Sequence, residues 1–142
     1  MSVVNPYLTF DGNCSEAFDF YRSVFGGEFA TVMRFSEMPG GSPIAESLAD
    51  RVMHIAMPIG TSVLMGSDTM PEMGPPFVPG NNFTVAVGPE SEDETRRIFD
   101  GLASGGITTM PLNSTFWGAL FGMLTDKFGV QWMVNFDLSR NN

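Results

Sequence analysis

The chain has 142 residues, 43% hydrophobic and 16% charged, which suits a single folded domain and lies far from the composition of disordered segments. Sixteen acidic residues against seven basic ones give a net charge of -9, which repels phosphate backbones and argues against a nucleic-acid partner. The single cysteine, Cys14, excludes an internal disulfide and a thiolate zinc cage.

The first residues, Met1-Ser2-Val3-Val4-Asn5-Pro6, lack a basic region before an apolar run. No apolar stretch approaches the roughly 20 residues that span a bilayer. The expected location is therefore the cytoplasm, with no membrane partner.

In chain order, Val3 to Phe10 alternates and is rich in strand formers, so it is predicted as a strand. Asp11-Gly12-Asn13 breaks it, and Ser15 is the predicted cap of a helix. In that helix Ala17, Phe20, Tyr21, Val24 and Phe25 recur at helical spacing, and Gly26-Gly27 supplies the stop. Phe29 to Phe35 is the second predicted strand, followed by a loop at Pro39-Gly40-Gly41-Ser42-Pro43. Val52 to Met57 and Thr61 to Gly66 are the third and fourth, joined by a hairpin turn at Pro58-Ile59-Gly60. Pro71 to Asn82 has no periodicity and reads as a linker.

The same order of elements then returns. Phe83 to Val87 is a strand, Glu94 to Ala103 a helix with Ile98, Phe99 and Leu102 at the earlier spacings, and Gly105-Gly106 its stop. Ile107 to Leu112, Phe116 to Leu124 and Gln131 to Phe136 are three further strands, with Lys127-Phe128-Gly129-Val130 as the last turn. The predicted fold class is α+β: paired βαβββ modules forming curled mixed sheets around a cavity, with the helices on the outer faces. One domain spans residues 1–142, with module 1 at about 3–68, a linker at about 69–82 and module 2 at about 83–138. Alternation in the last strand puts Trp132, Val134 and Phe136 on the helix side and Gln131, Met133 and Asn135 on the inner face.

Several residues admit both a chemical and a structural reading. His54, the sole histidine, is either a general base or polar anchor in the cavity or, more plainly, a hydrogen-bonded strand histidine. Trp117, Phe116, Phe121 and Trp132 form either an aromatic wall or ordinary core, and the eleven methionines either pocket lining or filler. Asp126, just before the last turn, is expected to bond nearby backbone amides. Cys14 is read as a residue of the capping region, and Glu37, Glu46, Asp50 and Glu72 as solvated loop acids.

The paired modules, with Glu16-Ala17-Phe18-Asp19-Phe20-Tyr21 leading to Phe25-Gly26-Gly27 and Thr125-Asp126-Lys127-Phe128-Gly129-Val130-Gln131-Trp132 near the end, resemble the glyoxalase and bleomycin-resistance (vicinal oxygen chelate) superfamily. Pro6-Tyr7-Leu8-Thr9-Phe10-Asp11-Gly12-Asn13-Cys14, Met65-Gly66-Ser67-Asp68 and Thr115-Phe116-Trp117 resemble its PhnB-like branch, which sometimes carries a demethylubiquinone methyltransferase name. The resemblance implies a metal-ligand position at each of four inner-face strands, falling on Tyr7, near Leu64, near Thr84 or Val85, and on Met133. Those residue types imply no metal and no cofactor. The glycine-rich loop of a conventional S-adenosylmethionine-binding βαβ unit is not found at Asp11-Gly12-Asn13-Cys14-Ser15.

The resemblance thus implies a protein that binds a small molecule in the sheet cavity, with Tyr7, His54, Trp117, Gln131 and Met133 as ligand-binding residues. It also implies a homodimer that protects open sheet edges. The alternatives are a metal-dependent lyase, isomerase or dioxygenase using Tyr7, His54 and a loop carboxylate, and a scaffold whose pocket is filled by Met133, Leu64 and Trp117. Stoichiometric bound metal separates the first two.

Overall fold

The computed structural model describes residues 2–37, 46–71 and 74–141. They divide into two compact units, Met1–Val78 and Pro79–Asn142. The predicted loop at Pro39–Pro43 lies outside the described residues.

Unit 1 contains β1 (Tyr7–Phe10), α1 (Cys14–Phe25), β2 (Thr31–Arg34), a 3₁₀ turn (Phe35–Glu37), the short α2 (Glu46–Ala49), β3 (Val52–Ile59) and β4 (Ser62–Asp68). Its sheet order is β1-β4-β3-β2, with β1 parallel to β4 and the other pairs antiparallel. Unit 2 contains β5 (Val85–Val87), α3 (Glu92–Ala103), β6 (Ile107–Ser114), β7 (Ala119–Thr125), β8 (Gln131–Asp137) and a closing 3₁₀ turn (Leu138–Asn141). Its order, β5-β8-β7-β6, repeats that of unit 1, again with one parallel pair at the first strand. The βαβββ repeat read from the sequence is therefore present in both halves.

Each helix buries one stripe against its own sheet. In α1 the stripe is Ala17, Phe18, Tyr21 and Val24, packed on β3 and β4, and in α3 it is Thr95, Ile98, Phe99 and Leu102, packed on β6, β7 and β8. Burying a ring such as Phe18 contributes roughly 1.5–3 kcal/mol. The ring sits so close to β4 that a Cβ on Gly66 would meet it at 2.7 Å, and Phe99 stands in the same relation to Gly122 on β7. Bare glycine lets helix and sheet approach at these two points. Both helices end where glycine pairs were read as stops, with Gly26 and Gly27 at φ +78° and +88° and Gly105 at +77°.

Boundaries differ where local propensity lost to tertiary context. Pairing on β1 begins only at Tyr7, after Pro6, and Val3 and Val4 are exposed. Helix α1 starts at Cys14 with Asn13 in the cap position and no side-chain cap bond, so Ser15 is not its cap. Strand β3 continues through Pro58 to Ile59, leaving a two-residue turn at Gly60-Thr61. Pro58 is tolerated because β2 pairs only as far as Ala56, so its missing N–H removes no bond on that side. Strand β5 starts at Val85 rather than Phe83, and β7 at Ala119 rather than Phe116.

Candidate functional site

In unit 1, Leu8, Phe10, Ile55, Met57 and Leu64 are buried on the α1 side. Alternation turns Tyr7, Thr9, His54, Met65 and Ser67 to the opposite face of the sheet. There the Tyr7 hydroxyl lies 3.3 Å from His54 Nδ1, and the two rings are stacked with centroids 5.8 Å apart. β1 and β3 are separated by β4, so the pair closes over that strand. Tyr7 remains 46% exposed. Either tautomer of His54 satisfies the contact, since the phenol can donate to Nδ1 or accept from it. His54 is thus hydrogen-bonded on its strand, which both readings of it allow.

In unit 2, Leu120, Gly122 and Leu124 of β7 and Trp132, Val134 and Phe136 of β8 are buried on the α3 side. Phe121, Met123, Thr125, Gln131, Met133 and Asn135 form the opposite face. Gln131 Nε2 donates to the Phe83 carbonyl at 2.9 Å. Met133 is half-buried, opposite Ala86 on β5 and Met123 on β7. Trp117 is not on a strand. It sits in the turn before β7, 58% exposed, edge-on to Phe116 at 5.0 Å and Phe121 at 6.0 Å, while Phe116 itself is 98% exposed. Gly118, at φ +84°, completes that turn and delays the strand. Trp132 belongs to the core and takes no part in an aromatic wall with the other three.

The four positions at which the superfamily would hold a divalent cation do not carry the usual donor side chains. Leu64 is 2% exposed on the α1 side, so its assignment to the inner face is corrected and Met65 takes that place. Val85 pairs with Trp132 and shares its side, and Thr84 precedes the strand. What remains is a phenol at Tyr7 and thioethers at Met65 and Met133, a poor match for a cation that needs several nitrogen or oxygen donors at about 2 Å. Among the described residues no group of three or more His, Cys, Asp or Glu side chains is arranged to hold a metal ion. Glu72 and the side chain of Glu46 lie outside the described residues.

Two buried carboxylates are occupied structurally. Asp68 Oδ1 accepts from the Gly12 and Cys14 amides at 2.8 and 3.0 Å, and its Oδ2 from the Val52 amide at 2.9 Å. This staple from the end of β4 caps α1 and occupies the Gly12 and Cys14 amides of the loop after β1. It escaped the sequence reading, although Leu64, Gly66 and Asp68 share one face by alternation. Asp126 bonds the Phe128 and Val130 amides at 2.8 and 3.0 Å, as expected, and also accepts from Trp132 Nε1 at 2.8 Å.

Cys14 is fully buried. Burial pushes its thiol up, the neighbouring Asp68 charge adds to the effect, and Arg34 partly opposes it, so it is no nucleophile. Near the same loop, Asp11 is held below the ordinary carboxylate value of 3.8 by the Thr69 hydroxyl and then by Arg51, at 2.6 and 3.2 Å. Arg51 Nη1 also donates to the Thr69 carbonyl at 2.9 Å, which closes the loop after β1 onto the end of β4. No helix among the described residues is long and apolar enough to cross a membrane.

Residues 2–135 match the sequence profile described as 3-demethylubiquinone-9 3-methyltransferase. The chain belongs to this PhnB-like family. Protein YjdN of Escherichia coli (strain K12) is 36% identical over 140 residues, covering 93% of each chain. The crystal structure of PA1353 from Pseudomonas aeruginosa is 38% identical with a TM-score of 0.85, over 96% of this chain and 98% of that one. A structure from Bacillus cereus, described as a PhnB protein and 3-demethylubiquinone-9 3-methyltransferase, is 29% identical with a TM-score of 0.73, over 95% and 99%. Solved members of the glyoxalase/bleomycin resistance/dioxygenase family share the fold at lower identity. PhnB-like membership fixes the fold, and an activity has to be argued from the side chains.

Proposed function

We propose that this PhnB-like protein binds a small molecule on the helix-free face of its unit 1 sheet and does so without a conventional divalent-metal centre. The observation that carries this reading is the Tyr7–His54 pair: two aromatic rings, held by stacking and one hydrogen bond, on a face shared with Thr9, Ala56, Val63, Met65 and Ser67. Preordered groups of this kind bind at low entropic cost. On the helix-free face of unit 2, taken by itself, Gln131, Met133 and Trp117 are the candidate contacts, Trp117 as an exposed aromatic platform and Met133 as an adaptable apolar contact. The family's methyltransferase name supplies no donor or acceptor geometry for that transfer.

Native mass spectrometry of freshly purified protein against a metabolite extract tests the reading. One organic molecule per chain is expected, weakened at least tenfold by Tyr7→Phe or His54→Gln. Retention of the molecule by both variants would overturn the assignment.

The same proposal takes the protein as a cytoplasmic homodimer. Supporting this, β6 forms an edge of the unit 2 sheet and exposes Ile107, a patch that a second copy would cover. Light scattering at micromolar concentration is expected to give twice the chain mass, and a monomer contradicts it.

A further inference from the structure

The helix-free face of unit 2 carries three methionines in one cross-strand row. Met110 on β6 is registered opposite Met123 on β7, and Met123 opposite Met133 on β8. Adjacent strands lie about 4.8 Å apart, so the outer two backbones stand roughly 10 Å from each other with Met123 midway. Three unbranched side chains with free torsions can bring their sulfurs together above the central one.

The row is not dictated by the core. The three side chains lie on the side away from α3, and Met110 is 47% exposed. Pairing of β6 with β7 shifts register on both sides of Met110, between Thr108 and Met110 and again between Met110 and Asn113. Those two irregularities bring Met110 into line with Met123, and bulges of this kind re-aim side chains beside functional sites. Neighbouring pairs on the face are neutral: Phe121 faces Asn135 and Asn113, and Thr125 faces Gln131. None of the residues of β5, β6, β7 or β8 is Lys or Arg, and the chain's net charge of -9 favours a positive ion.

We propose that Met110, Met123 and Met133 form a trithioether site for a soft monovalent cation, Cu(I), with Ag(I) as its redox-inert surrogate. Thioether sulfur selects Cu(I) over the hard divalent ions that the superfamily positions fail to hold. Thioethers carry no proton in the physiological range, so binding releases none and its affinity is flat with pH, unlike a thiolate or imidazole site. This inference goes beyond the proposed function. It shares Met133 with that reading but needs neither Tyr7 nor His54, so it can stand or fall by itself.

The test is Ag(I) titration of the full chain labelled with ¹³C in the methionine methyls, at pH 5.5 and at pH 7.5. The Met110, Met123 and Met133 resonances are expected to move together and saturate at one equivalent, with the same affinity at both pH values. Met123→Leu keeps the side-chain volume and is expected to weaken binding at least tenfold, whereas Met65→Leu leaves it unchanged. Silver taken up at Cys14 or His54 leaves these three methyls unmoved, and that result overturns the proposal. So does a Met123→Leu protein, folded by circular dichroism, that binds as tightly as the parent.

Discussion

The two units share strand order, helix length and glycine stops, yet they hold their helices in different ways. In unit 2 the start of α3 is capped locally: Ser91 accepts from the Glu94 amide at 3.1 Å, and the Glu94 carboxylate reaches back to the Glu90 amide at 3.2 Å. In unit 1 no local side chain caps α1, and a carboxylate 54 residues away, Asp68, accepts from the Cys14 amide instead. A repeated topology therefore does not require repeated chemistry. One helix carries its own start signal, and the other takes its cap from the end of a distant strand.

The largest expected effect follows from that dependence. Asp68→Ala leaves three amide groups without their acceptor, and at about 1–3 kcal/mol for each buried unpaired donor it should lower stability by about 3 kcal/mol or more. Asp126→Ala should have an effect of similar size but expose different amides. Hydrogen exchange is expected to open α1 and β3 in the first variant and the 126–130 turn and β8 in the second. If Asp68→Ala behaves like a surface substitution, the contrast between the units collapses.

A smaller effect sharpens the contrast at the caps. Ser91→Ala should cost about 1 kcal/mol, the usual value of a lost N-cap, whereas Ser15→Ala should cost less than about 0.5 kcal/mol. Chemical denaturation of the two variants checks this. Equal losses would mean that Ser15 has a capping role which the α1 geometry denies it.

The smallest effect concerns pH and Cys14. Because the folded thiol is raised above its unfolded value, its contribution to stability is fully present below about pH 8.5 and declines as pH rises beyond it. Denaturation midpoints should therefore fall between pH 8 and pH 10, less so in Cys14→Ala. A thiol reagent at neutral pH should label the chain only as fast as unit 1 opens.

These contrasts also mark what the sequence could reveal. The repeat and both helices were legible because spacing and glycine stops act within a few residues, whereas the equally local Ser91-x-x-Glu94 cap went unread and α3 starts at Glu92 instead of Glu94. The sorting of Trp132, Val134 and Phe136 from Gln131, Met133 and Asn135 was equally legible, since alternation is a local property. The Asp68 staple and the Tyr7–His54 contact link residues 54 to 56 and 47 positions apart, and only the sheet register brings them together. Trp117 misled for another reason. Its aromatic neighbours look like strand, but Gly118 adopts a turn conformation, and exposure at Phe116 and Trp117 follows. Leu64 was placed on the wrong face by one residue, which in a strand reverses a side chain completely.

The central claim is small-molecule binding without a conventional divalent-metal centre, and elemental analysis of protein purified without chelators, followed by calorimetric titration with zinc, nickel, manganese and iron(II), tests it most directly. The account predicts well under one equivalent of any of these metals and no binding at micromolar affinity. One equivalent bound at micromolar affinity and lost in Tyr7→Phe or His54→Gln would contradict it, and would make those two residues metal ligands instead of a ligand-binding pair.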